Sequence, residues 1–175
     1  LRDMTSPEGG FFSAEDADSA IDAAQPNVKG EGTFYIWTRQ EIDRILGSPD
    51  ASIFAYRYGV TPEGNVQHDP HGEFTGKNIL FVRRSIAETA SYFRIAEDAV
   101  LSNLNKSIQK LMLERNQRVR PHLDDKILTA WNGLMISALA KGAQILNEPR
   151  YLEAATRAAH FLLSRMRSDM LLRRY

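Results

Sequence analysis

Leu128-Thr129-Ala130-Trp131-Asn132-Gly133-Leu134-Met135-Ile136-Ser137-Ala138-Leu139-Ala140-Lys141-Gly142-Ala143-Gln144-Ile145-Leu146 reads as one helix, because its large apolar side chains recur at three- and four-residue intervals. Gly133, Ser137, Ala140 and Gly142 lie between them and are small enough to let a second helix approach closely. The pattern predicts the most buried helix of the chain. Asn147-Glu148-Pro149 ends it and opens another, since proline is tolerated in the first helical turn, and Tyr151, Leu152, Ala155, Ala159, Leu162, Leu163 and Met166 carry the apolar stripe onward. Two long helices with so short a connection form an αα-hairpin. Hairpins of this kind favour a stacked helical architecture over an alternating βαβ one.

Upstream, residues 89–118 place Phe93, Leu101, Leu104, Ile108, Leu111 and Met112 on one side of a predicted helix that Pro121 stops. Residues 48–82 are broken repeatedly by proline and glycine, with a short helical piece near Ile53–Tyr58 and a strand-like Asn78-Ile79-Leu80-Phe81-Val82. Thr38 and Glu41 have capping-box spacing ahead of Ile42, Ile45 and Leu46, so Arg39–Leu46 is a short helix that Gly47 ends. Thr33-Phe34-Tyr35-Ile36-Trp37-Thr38 is rich in aromatic and β-branched residues and is expected to pair with Gly10-Phe11-Phe12-Ser13 as an antiparallel hairpin. The fold class is therefore mainly α with a small antiparallel β-hairpin excursion: loops, short strands and short helices over 1–88, long helical hairpins over 89–175.

At 175 residues the chain has the length of one ordinary domain. Its 43% hydrophobic and 25% charged residues exclude a disordered or fibrous chain. Lys plus Arg and Asp plus Glu balance at 22 each, which removes the global electrostatic reason to expect nucleic acid or an anionic membrane as partner. Thirteen Lys or Arg against six acids over residues 106–175 are spread along helix faces and read as solvated surface. No apolar run approaches the ~20 residues that span a bilayer. Without cysteine, thiolate chemistry and disulfides are excluded within these residues, which fits a cytoplasmic location. Both ends, one lacking an initiator methionine and the other lacking a helix stop, read as cut points.

Two clusters carry the candidate chemistry. Glu15, Asp16 and Asp18 lie within four residues of one another in an acidic, glycine-flanked turn, and carboxylates so close can raise one another's pKa and supply an acid beside a base. The bland reading is a solvated turn, and the spacing lacks a calcium-loop pattern. Asp124-Asp125-Lys126 precedes Trp131 and Asn132. Either aspartate can cap the helix. The same group also describes a polar-ligand pocket, with an indole stacking on a sugar face and Asp and Asn taking hydroxyls. His68 and His71 flank Asp69-Pro70 in a loop, where metal-binding geometry is not assured, so no metal or other cofactor is expected. Phosphate-cradling glycine loops and nucleophile elbows are absent from the sequence.

Gly9-Gly10-Phe11-Phe12-Ser13-Ala14-Glu15-Asp16-Ala17-Asp18-Ser19, Glu31-Gly32-Thr33-Phe34-Tyr35-Ile36-Trp37-Thr38, Gly76-Lys77-Asn78-Ile79-Leu80 and the block from Arg120 to Met135 together resemble the YyaL/spermatogenesis-associated protein family, in order and across nearly the whole chain. The resemblance implies a slice of an α/α toroid similar to six-hairpin glycosidases, with a thioredoxin-like domain before Leu1 and further hairpins after Tyr175. By analogy of fold it also implies a carbohydrate-active or carbohydrate-binding role. The matching polar positions are Glu15, Asp16, Asp18, Asp124, Asp125, Lys126, Trp131 and Asn132. Nothing is transferred to the histidine loop.

The leading expectation is that Asp16, Asp18 and Asp125 act as acid and base in sugar hydrolysis or epimerisation, with Glu15, Asp124, Lys126, Trp131 and Asn132 binding a sugar or polyol in a shared cavity. The alternative is a non-catalytic toroid module that binds a partner protein or polar metabolite beside a redox thioredoxin-like domain, with Asp124 and Asp125 as caps.

Overall fold

A computed structural model describes residues 1, 3–70, 72–168 and 171–173. The chain divides into two compact units, one made of Leu1–Asp16 with His122–Tyr175, the other of Ala17–Pro121. The fold is mainly helical with small antiparallel strand pairs, in agreement with the sequence.

In the first unit β1 (Ala14–Glu15) pairs antiparallel with β4 (Leu123–Asp124), placing Ala14 opposite Asp124 and Glu15 opposite Leu123. The αα-hairpin forms as predicted from α5 (Thr129–Leu146) and α6 (Pro149–Arg165). Asn147, left-handed at φ 50°, ends the first helix, and Pro149 occupies the first turn of the second. β5 (Arg167–Ser168) and β6 (Leu171–Leu172) close the unit. Its core is small: Phe11, Ala154 and Ala158 are buried, with Ile136 and Leu139 packed on them. Phe11 is seated by Gly10, where an added Cβ would fall 2.8 Å from Ile127 and 2.9 Å from Phe161.

One expectation fails here. α5 was predicted to be the most buried helix, yet Asn132 is its one buried residue, while Trp131 is 55%, Leu134 72% and Ile145 81% exposed. Apolar residues lie all around α5, whereas α6 packs against a single side of it. Periodicity reports how apolar a helix is, and the neighbours decide how much of that surface is covered.

The second unit contains β2 (Asp18–Ala20) and β3 (Lys29–Glu31), an antiparallel hairpin, followed by α1 (Arg39–Leu46), α2 (Asp50–Tyr58), α3 (Ile86–Phe93) and α4 (Glu97–Arg115). α4 packs against α1, α2 and α3. Trp37, Ile42, Phe54, Val100, Leu104 and Leu111 anchor the resulting core. Thr38 and Glu41 form the expected capping box and Gly47 ends α1.

The two stretches expected to pair as a hairpin find other partners. Phe11 bridges Thr5 in the first unit, and in the second Trp37 bridges Asn78. Gly32, at φ 65°, starts a turn in which Tyr35 and Ile36 donate backbone N–H groups to its carbonyl. Strand propensity over 33–38 is overridden because the carbonyls of Thr33, Phe34 and Ile36 are taken by Arg118. Asn78–Val82 likewise contributes the single bridge at Asn78 and no strand.

The helix predicted over 89–118 is two helices. Arg94 is left-handed at φ 56° and its N–H returns to Ala90 and Ser91, then Ala96 is extended and Glu97 and Asp98 occupy the first turn of α4. Acids at that position complement the helix dipole, so a restart there is stabilised. α3 begins earlier than the periodicity indicated because Ser85 and Glu88 form a second capping box.

Candidate functional site

In the first unit the strand pairing carries two of the acidic stretches to one junction. Ser13 donates its N–H (3.3 Å) and its hydroxyl (3.1 Å) to the Asp124 carbonyl, and the Asp16 N–H donates to the His122 carbonyl at 2.9 Å. Glu15 is half-buried in β1, while the Asp16 and Asp125 residues are exposed. Lys126 donates to the Asp124 carboxylate from Nζ at 2.9 Å and from its backbone N–H at 3.3 Å. These bonds from Lys126, the side-chain one foremost, hold the Asp124 carboxyl below the usual aspartate range.

Neither Asp124 nor Asp125 caps α5. The N-cap is Leu128, without a side-chain hydrogen bond, because three residues separate Asp124 from it and two of the Asp124 carboxylate contacts already go to Lys126. Trp131 stands more than half exposed, open to a stacking partner. Asn132 turns the other way and is 1% exposed. Its Oδ1 accepts from the Phe11 N–H at 2.7 Å, and its Nδ2 donates to the carbonyls of Phe11 (2.9 Å) and Leu128 (3.0 Å). Both amide protons are therefore used in clasping backbone. Asp18 belongs to the second unit, where it is exposed in β2 opposite Glu31.

The second unit holds a feature that sequence reasoning missed, a cleft of about 700 Å³. Its apolar lining comes from Ala20, Ile21, Phe34 and Ile36, of which Ile21 is exposed and the other three are buried, and the charged side chains of Asp22, Lys29, Glu73 and Lys77 line it as well. Arg118 braces one wall. Its Nη1 donates to the carbonyls of Ile36 (2.7 Å), Thr33 (3.2 Å) and Phe34 (3.2 Å), its Nη2 reaches Glu41 at 3.3 Å, and its guanidinium lies 4.0 Å from the Trp37 ring centroid. Burial draws the pKa of this guanidinium down, while Glu41 and then Glu114 oppose the shift. Residues of β2, β3, α1 and α4 and of the loops beside them form the cleft, and no local signal announces Arg118, which stands just past the end of α4.

Among the described residues no group of three or more His, Asp or Glu is gathered to hold a metal ion. His71 of the histidine loop lies outside the described residues. Among the described residues no helix is long and apolar enough to cross a membrane.

No family model matches the chain. Curated relatives do. The chain is 39% identical over 176 residues to spermatogenesis-associated protein 20 of Homo sapiens and 36% identical over 176 residues to that of Mus musculus, covering 94% of this chain in both cases. It is 36% identical over 170 residues to an uncharacterized protein of Caenorhabditis elegans. The chain spans 22% of the length of the human relative and 23% of the nematode one. The family resemblance read from the four sequence blocks thus holds over nearly the whole chain.

Proposed function

We propose, from the premise that this chain is homologous to one segment of spermatogenesis-associated protein 20, that it is a binding module for a sugar or other polyol, seated in the cleft of the second unit. The observation that carries the reading is the cleft itself. Its volume lies in the range of small-molecule sites, its lining offers an exposed apolar side chain, Ile21, for the carbon face of a ring, and its charged residues offer both donors and acceptors for hydroxyls. Arg118 supports preorganisation, because it fixes the turn that supplies Phe34 and Ile36.

Closure of the helical hairpins into an α/α toroid, a neighbouring thioredoxin-like domain and action in the cytoplasm are parts of this proposal. Sugar hydrolysis or epimerisation by Asp16, Asp18 and Asp125, with Glu15, Asp124, Lys126 and Trp131 around the substrate, is the second reading. The β1–β4 pairing favours it, since it sets the Asp16 and Asp124 stretches side by side.

A thermal-shift screen of the intact protein against neutral mono- and oligosaccharides tests both. Binding lost in K77Q or E73Q and kept in D16N, D18N and D125N supports the cleft. The converse supports the carboxylates, and absence of any stabilising sugar overturns the proposal.

A further inference from the structure

Three arginines, Arg57, Arg83 and Arg84, meet through the backbone at the end of α2. The Arg57 carbonyl accepts from the backbone N–H groups of Arg83 at 3.0 Å and Arg84 at 3.3 Å, which ties the three residues to one place. Arg83 and Arg84 line a recess of about 220 Å³ whose other walls are Ala55, Tyr56, Gly59 and Val60. The Arg84 guanidinium lies 5.7 Å from the Tyr56 ring centroid, and Tyr56 is stacked on Tyr92 at 4.2 Å. The aromatic pair thus limits how far Arg84 can swing.

Gly59 lines the recess beside Arg83. It is left-handed at φ 69°, and a Cβ there would fall 2.8 Å from the Phe81 ring and 3.3 Å from Cδ of Arg83. A side chain at this position would displace the stem of Arg83, so glycine keeps the recess open. The Arg57 Nε is buried with no hydrogen-bond partner. Among the described residues none of the three guanidiniums is hydrogen-bonded to a carboxylate. The Glu88 carboxyl is held below its usual range by hydrogen bonds from Ser85, whose N–H lies at 2.7 Å in the α3 capping box, and more weakly by the charges of Arg84 and Arg57. One exposed carboxylate does not balance three guanidiniums, and a dianion with several acceptor oxygens supplies further negative charge while matching the guanidinium fork.

We propose that this recess binds an oxyanion of the phosphate class, either free or as the phosphomonoester of a small molecule, with Arg83 and Arg84, which line it, as its donors and the Arg57 carbonyl holding their backbone in place. The site is separate from the sugar cleft, and neutral sugars do not probe it.

The test is titration of the intact protein with inorganic phosphate and with glycerol 3-phosphate, each against sodium chloride of equal ionic strength, read by calorimetry and thermal shift. Saturable binding of both probes is expected, weakened roughly tenfold or more in R83Q/R84Q. The single variant R83Q, at an exposed side chain, must weaken binding as well, which keeps the test decisive if the double variant fails to fold. K106Q/K110Q removes the same net charge from α4 and must leave binding unchanged. Tighter binding of glycerol 3-phosphate identifies the phosphomonoester as the ligand, and equal binding identifies the free anion. No saturable binding of either probe, unchanged affinity in R83Q, or an equal loss in K106Q/K110Q overturns the proposal.

Discussion

Asn132 clasps Phe11 across 121 residues of chain: the Phe11 N–H donates to Oδ1 and the Phe11 carbonyl accepts from Nδ2, so one side chain completes both backbone bonds of a strand residue. Asn78 does the same for Thr61 in the second unit, at 2.8 and 3.1 Å. A carboxamide carries a donor and an acceptor at the spacing of a peptide group, and this lets it stand in for a missing strand neighbour. Where β-ladders are only two or three residues long, such clasps supply the partners that buried backbone requires.

Asn132→Ala is expected to destabilise the protein by about 2–4 kcal/mol, since it leaves the Phe11 N–H and carbonyl buried without partners. Asn132→Asp should do no better, because it removes both donors and buries a charge. Urea denaturation measures this. A change below about 0.5 kcal/mol, the range of ordinary surface substitutions, would show the clasp to be dispensable.

Arg118→Lys is expected to cost about 2–3 kcal/mol despite keeping the charge, because an ammonium cannot reproduce the fork that reaches three carbonyls and Glu41. Since Arg118 fixes the turn under the cleft, sugar affinity should fall with it. Wild-type stability in the lysine variant contradicts the bracing role.

Gly64 is left-handed at φ 90°, and a Cβ there would meet the Lys77 backbone at 2.6 Å. Gly64→Ala should therefore cost more than the ~1 kcal/mol of an ordinary glycine replacement, because a backbone atom cannot swing aside. Thermal denaturation of that variant beside Gly72→Ala, where a Cβ meets nothing within 4 Å, separates close approach from backbone conformation.

Asp124 and Glu88 both have carboxyls held below their usual ranges, by Lys126 and Ser85 respectively. A folded pKa below the unfolded one adds stability above the unfolded value, and that stability disappears as pH falls through the folded value. Asp124→Asn and Glu88→Gln should each lower stability by a constant amount above the unfolded carboxyl range and flatten the acid side of the profile, where the wild type loses that same stability. Carboxyl titration by NMR checks the sign directly, and an ordinary midpoint for Asp124 in the folded protein would refute the assignment.

Asp16→Asn, Asp18→Asn and Asp125→Asn should each change stability by no more than about 0.5 kcal/mol, because all three residues are exposed. Any loss of sugar turnover in these variants then reports chemistry rather than unfolding. Equilibrium denaturation run beside the activity screen makes the distinction.

Much of the chain was legible wherever the signal is local. The capping box at Thr38 and Glu41 and the stop at Asn147-Glu148-Pro149 are short-range arrangements of backbone and side chain, so neighbours in sequence suffice to place α1, α5 and α6. The break at Arg94 was missed because an arginine in the left-handed region carries no residue signature of the kind glycine provides. Thr33–Thr38 misled for another reason. Its aromatic content has strand propensity, but its carbonyls are satisfied by a guanidinium more than eighty residues away.

The sequence by itself determined the helices, their caps, the αα-hairpin and membership among relatives of one named kind, since each of these rests on periodicity, short-range hydrogen bonding or a direct match of residues. Tertiary structure alone decided which polar groups are spoken for. It consumed the Asn132 amide, paired Asp124 with Lys126, left Trp131 open and built a cleft around Arg118. A side chain's type states what bonds it can make, and only the packing of distant segments states which of those bonds are already made.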